Sequence, residues 1–169
     1  MSTTNEERLK RLEGIKDVTS LKIEKKMNEI KEKVPALQEA IKMLEEAKKA
    51  NLSVERFFKV KEYGGAYIDH NLFILNLGDR SKERYIIDEF GDFYSSTYAS
   101  SYTDGKIRCS DSFKLTALKN STTSEEYRKK RLEDLVLFLG MIDKTIFDIY
   151  NEIDCQISIK EKEIKELGL

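Results

Sequence analysis

The sequence predicts an α+β fold in which two long helical segments, paired as a coiled-coil-like hairpin, flank a central antiparallel β-meander. Three observations predict it. Apolar residues recur at heptad spacing toward both ends of the 169-residue chain. The middle switches to short alternating, β-branched and aromatic runs broken by turn residues. Proline occurs once, so little interrupts a helix at either end. The chain divides into an N-terminal helical segment (1–54), a sheet region (55–120) and a C-terminal helix (121–169), read as one structural unit.

The first helical stretch runs over roughly residues 4–51. Ile23, Met27, Ile30, Val34, Leu37, Ile41 and Leu44 alternate steps of four and three, and Lys and Glu fill most of the gaps. That is an a/d seam three heptads long. Leu9 and Leu12 lie upstream but out of phase. The seam empties at "GIKDVTS" (14–20), where Thr19 or Ser20 is placed to cap a new helix, so the first dozen residues form a separate short helix. Pro35 lies inside the seam and removes one backbone hydrogen bond, which predicts a kink or short break over 31–35.

The middle region holds twelve of the chain's sixteen aromatics. Strands are expected near 56–62, 66–69, 72–77, 83–88, 92–99, 106–110 and 113–118. Turn chemistry separates them at Gly64-Gly65, Asp69-His70-Asn71, Gly78 to Ser81, Gly91-Asp92 and Asp104-Gly105.

The last helix spans roughly 123–167, with Ser124 as its cap and Glu125 and Glu126 suited to the first turn. Its seam runs Leu132, Leu135, Leu139, Ile142, Ile146, Ile149, Ile153, Ile157, Ile164 and Leu167. Val136, Leu137, Phe138, Met141, Phe147 and Tyr150 widen the apolar surface beyond one stripe, more than a two-stranded coil buries.

Equal helical arms of about 45 residues suggest an antiparallel hairpin with the sheet at its far end. In order of elements alone this resembles a prefoldin subunit; no residue motif of that family is matched. A second arrangement folds both helical segments over one face of the sheet.

Charge excludes several partners. Basic and acidic residues number 12 and 10 over 1–54, 10 and 10 over 55–120, and 8 and 11 over 121–169. No segment carries the concentrated positive charge of a nucleic-acid footprint. "MSTTNEERLK" lacks the apolar core of a signal peptide, and no apolar run reaches membrane-spanning length, so a cytoplasmic chain with no membrane partner is expected. Cys109 and Cys155 read as free thiols.

Catalytic patterns are missing from the sequence. His70 is the only histidine, and no nucleophile elbow, phosphate loop or zinc-binding helix motif occurs. Asp88, Glu89 and Asp92 crowd one turn, where Asp is a turn former before it is a cation ligand. No enzyme, cofactor or metal is expected.

Residues 93–102 draw the eye instead. As a continuous strand they set Tyr94, Tyr98 and Tyr102 on one face among serines, a mixture that suits protein contact; the bland reading packs the same rings inside. With the helix surplus, the expected partner-binding residues are Tyr94, Tyr98, Tyr102, Phe138, Phe147 and Tyr150. The surplus also predicts a homodimer or higher homo-oligomer. The expected role is a non-enzymatic protein-binding factor that blocks or bridges, in the style of a small bacterial or phage-encoded inhibitor of a host defence enzyme. The alternative is a protein that holds a nucleotide-like anion at a subunit interface with tyrosines and Arg80, Arg84 or Arg108.

Overall fold

The computed structural model describes residues 2–15, 18–60, 65–69, 71–76, 84–96, 101–103, 106–108, 113–114 and 125–168, with backbone alone for 94–96, 101–103, 106–108, 113–114 and Tyr127. Mixed helix and antiparallel sheet are present, as the periodicities predict.

Helix α1 (Asn5–Glu13) is the separate short helix expected upstream. Thr4 and Glu7 form a reciprocal capping box at its start. None of its residues is buried. Helix α2 (Val18–Lys49) begins earlier than its capping residues predicted: Thr19 is inside it and buried. It also runs unbroken through Pro35, so of the expected kink or short break over 31–35 the break does not occur. Val34 and Leu37, on either side of the proline, are held in the core, and that packing outweighs one lost backbone hydrogen bond.

The expected strand at 56–62 is instead a single 3-10 turn, Glu55–Phe58. Two adjacent aromatics cannot share a strand face, and here both turn toward helix contacts. Phe57 is buried, and Lys48 of α2 sits 4.7 Å from the Phe58 ring centre.

Strands β1 (Gly65–Asp69), β2 (Leu72–Asn76), β3 (Arg84–Ile87) and β4 (Phe93–Ser96) form an antiparallel meander. A fifth strand, β7 (Phe113–Lys114), pairs with β4. Between them in sequence, β5 (Ser101–Thr103) and β6 (Lys106–Arg108) make a separate two-stranded ribbon. The stretch read as one strand over 93–102 is therefore split between two sheets. Tyr94 pairs across to Ile86, and Tyr102 to Ile107.

Both faces of the meander are buried around β1–β3. On one face Ile68, Phe73, Ile87 and Phe93 stand in register, with Leu75 and Tyr85 beside them. On the other, Tyr67, Ile74 and Ile86 are equally enclosed. The unbroken apolar run of β2, "LFILN", is what a strand covered on both sides requires.

Helices α2 and α3 (Glu125–Glu166) pack on the first face. Helix α3 meets β3 at Asp134, β2 at Phe138, and β1 around Met141 and Thr145. Helix α2 meets the β3–β4 turn at Gln38 and lies beside the β1–β2 turn by Glu45 and Lys49. Both thus cross the sheet from β3 toward β1, side by side and pointing the same way. Lys33 of α2 pairs with Asp143 of α3 at 3.2 Å, and Arg56, just beyond α2, reaches Glu152 at 3.7 Å. These contacts do not describe an antiparallel hairpin with the sheet at its far end. Phe73 and Tyr85 draw the middle of α3 down onto the sheet, and the folded-over arrangement results.

Candidate interaction surface

Phe138 lies at the centre of the structure. Its ring stacks on Phe73 with centroids 5.8 Å apart, and it meets the tilted ring of Tyr85 at 5.7 Å. It is fully buried, so it supports the core and presents nothing to a partner. This corrects its expected place in a binding surface. Leu135, Ile142, Ile149 and Ile153 of the predicted seam are buried with it.

Beside Phe138 is a buried polar network that periodicity alone does not reveal. The Tyr85 hydroxyl donates to Asp134 Oδ2 at 3.1 Å, and Arg131 Nη1 donates to the Tyr85 oxygen at 2.9 Å. Lys130 Nζ donates to Asp134 Oδ1 at 3.0 Å. Burial, the largest influence, pushes the Tyr85 hydroxyl far above its ordinary range. A tyrosine held protonated, with both neighbouring charges engaged, is a structural clamp between β3 and α3 rather than a poised acid or base.

The other side of the helix pair differs. Phe147 is 67% exposed, and Val136, Tyr150 and Met43 are exposed as well. Phe147 lies about 180° around α3 from Phe138 at 100° per residue, so it points away from the sheet. Of the expected site residues on α3, Phe147 and Tyr150 are the exposed ones.

A second outward aromatic had no signal in the periodicity. Phe90, at the tip of the β3–β4 turn, is 81% exposed. Its turn is tightly determined. Asp88 Oδ1 accepts the backbone N–H groups of Phe90 at 3.0 Å and Asp92 at 2.9 Å. The Asp88 N–H donates to the Asp92 carbonyl at 2.8 Å. Gly91 adopts a positive φ of 85°, and a Cβ there would meet Val34 at 3.2 Å. Gln38 Nε2 donates to the Glu89 carbonyl at 3.4 Å, tying the turn to α2. The carboxylate of Asp88 is thus occupied in shaping the turn. The clue in the sequence was Asp88-Glu89-Phe90-Gly91-Asp92, an aromatic inside otherwise pure turn chemistry.

The other expected site residues are less informative. Tyr98, Arg80, His70 and Cys109 lie outside the described residues, as do the side chains of Tyr94, Tyr102 and Arg108. Arg84 is half-buried on the sheet face of Ile86, away from the Tyr85 clamp. Cys155 is an exposed free thiol.

Among the described residues, no three His, Cys, Asp or Glu side chains converge as metal ligands, and no helix is long and apolar enough to cross a membrane. A groove of about 410 Å³ runs along α2 between Gln38, Ile41, Glu45, Asn71 and Glu89, with acidic and basic groups intermixed. No family model, curated protein or solved structure matches this chain.

Proposed function

We propose that the chain is a non-enzymatic protein-binding factor that acts by steric blocking or bridging, and that the β3–β4 turn is its principal contact. The observation that carries this reading is Phe90, held outward on a turn fixed by Asp88, Gly91 and Gln38. A large ring on a preformed turn loses little conformational freedom on binding, the property of an anchor residue. Glu89 and Asp92 flank it, so the complementary pocket is apolar with a basic rim. An inhibitor that plugs an enzyme's cleft, including a host defence enzyme, is one form of this role.

The test is capture from an extract of the cells that make the protein, with immobilised wild-type chain and Phe90→Ser in parallel. The reading expects a protein retained by the wild type and lost with Phe90→Ser, at unchanged helicity. Identical retention by both chains contradicts it. Loss in a Tyr94, Tyr98, Tyr102 triple alanine variant instead moves the contact to the strands.

A further inference from the structure

Gly140 stands in the middle of α3, exposed, and among the described residues no heavy atom comes within 4 Å of where its Cβ would be. A glycine inside a helix weakens it relative to alanine. Nothing among the described residues calls for one there. A glycine on an outer helix face permits close approach by another backbone.

Gly140 lies about 200° around α3 from Phe138, on the side away from the sheet. Exposed apolar residues share that side at both ends of the helix pair. Val18 and Leu21 lie near the start of α2. Met43, Phe147 and Tyr150 lie toward the far end.

We propose that a second copy of this chain covers this face, its helix pair antiparallel to the first, with the two-fold axis passing near Gly140. The spacing supports that occupant. The Lys33–Asp143 pair sets residue 30 of α2 level with Gly140. At about 1.5 Å per residue, Leu21 and Val18 lie roughly 14–18 Å from that level toward one end. Phe147 and Tyr150 lie roughly 10–15 Å from it toward the other. On α2 itself Met43 lies roughly 20 Å toward that other end, so a two-fold axis at this level lays Leu21 and Val18 over Met43 of the second copy's α2.

Charge follows the same symmetry. Exposed Lys22 and Lys25 occupy the leading half of α2 and exposed Glu39 its trailing half, so antiparallel stacking of α2 on its copy brings opposite charges together. At roughly 100 Å² for each half-exposed large side chain, Val18, Leu21, Met43, Val136, Leu137, Phe147 and Tyr150 come to about 700 Å² per copy, within the range of an ordinary stable interface. Phe90 is not part of this face, so the proposal is independent of the partner-binding reading, and a dimer would carry two such turns.

Sedimentation equilibrium of the full chain tests it, with circular dichroism on every variant. The wild type is expected at twice its 19.7 kDa monomer mass. Gly140→Ala is expected to raise helix stability yet weaken association about tenfold, two effects of opposite sign that a merely tolerated glycine does not produce. Gly140→Arg is expected to give a folded monomer. Should Gly140→Arg not fold, Lys25→Glu alone is expected to weaken association and Lys25→Glu with Glu39→Lys to restore it. A monomeric wild type at about 100 μM overturns the proposal. So does a Gly140→Arg chain that stays dimeric, or charge variants that leave association unchanged.

Discussion

The Tyr85 hydroxyl hydrogen-bonds Asp134 across 49 residues of sequence, at 3.1 Å inside the interface between β3 and α3. Arg131 and Lys130 complete the network, and Asp134 itself is only 2% exposed. Removing Asp134 leaves the buried Arg131 charge and the Tyr85 hydroxyl without that carboxylate, while Lys130 stays in solvent. Asp134→Ala is expected to lower unfolding free energy by about 3–5 kcal/mol. Urea denaturation measures it, and a loss under about 1 kcal/mol would mean that the network contributes little.

The same hydroxyl links stability to alkaline pH. Burial raises its folded-state pKa above the unfolded value, the Asp134 charge acts in the same direction, and Arg131 opposes it. Below about pH 10 the group is protonated in both states, and its contribution is fully present. As pH rises above about 10, the unfolded chain ionises and the folded chain does not. Stability then falls by about 1.4 kcal/mol per pH unit from this group. Tyr85→Phe removes that component, so its urea midpoint should fall less than the wild type's between pH 9 and pH 11. Equal falls would contradict the assignment.

Phe138 and Phe147 differ by nine positions, yet their substitutions should behave differently. Phe138→Ala empties a site between Phe73 and Tyr85 and is expected to cost about 3–5 kcal/mol. Phe147→Ala removes an outward ring, and the intrinsic stability of the single chain should move by less than about 0.5 kcal/mol. Thermal melts at low micromolar concentration distinguish them.

The element types were largely legible in the residues. Heptad spacing located α2 and α3 to within a few positions, and turn chemistry located the β1–β4 meander. Direction was not legible. An a/d seam says that a helix has an apolar side, and it is silent on which way the neighbouring helix runs. Here the sheet decides, because Phe73 and Tyr85 hold α3 across the strands that α2 also crosses. The pair at Phe57 and Phe58 read as strand because both are β-favouring, and contact with α2 overrode propensity. Phe147 and Tyr150 were legible as surplus on a helix already supplied with a seam. Phe90 left no periodic signal, and its one mark was a ring set inside turn chemistry.

Pro35 shows the same override within one helix. It lies in an unbroken α2 between core residues, where proline disfavours helix by up to about 3 kcal/mol. Pro35→Ala should therefore stabilise the fold by about 1–2 kcal/mol, the gain reduced by the greater freedom of the unfolded chain. The change in urea midpoint gives the number. Destabilisation would mean that the proline shapes a bend the core depends on.

The outward face is formed by α2 and α3 running the same way over one side of the sheet. Paired spin labels with pulsed electron resonance test this most directly, using Leu21→Cys with Lys129→Cys and Leu21→Cys with Asp154→Cys in chains whose native cysteines are replaced by serine. With both chains diluted into an excess of unlabelled protein, the first pair should be close. The second pair should be longer by roughly 20 Å or more, since Asp154 lies 25 residues further along α3 at about 1.5 Å per residue. The opposite order, Leu21 near Asp154 and far from Lys129, would establish the antiparallel hairpin and contradict the arrangement described.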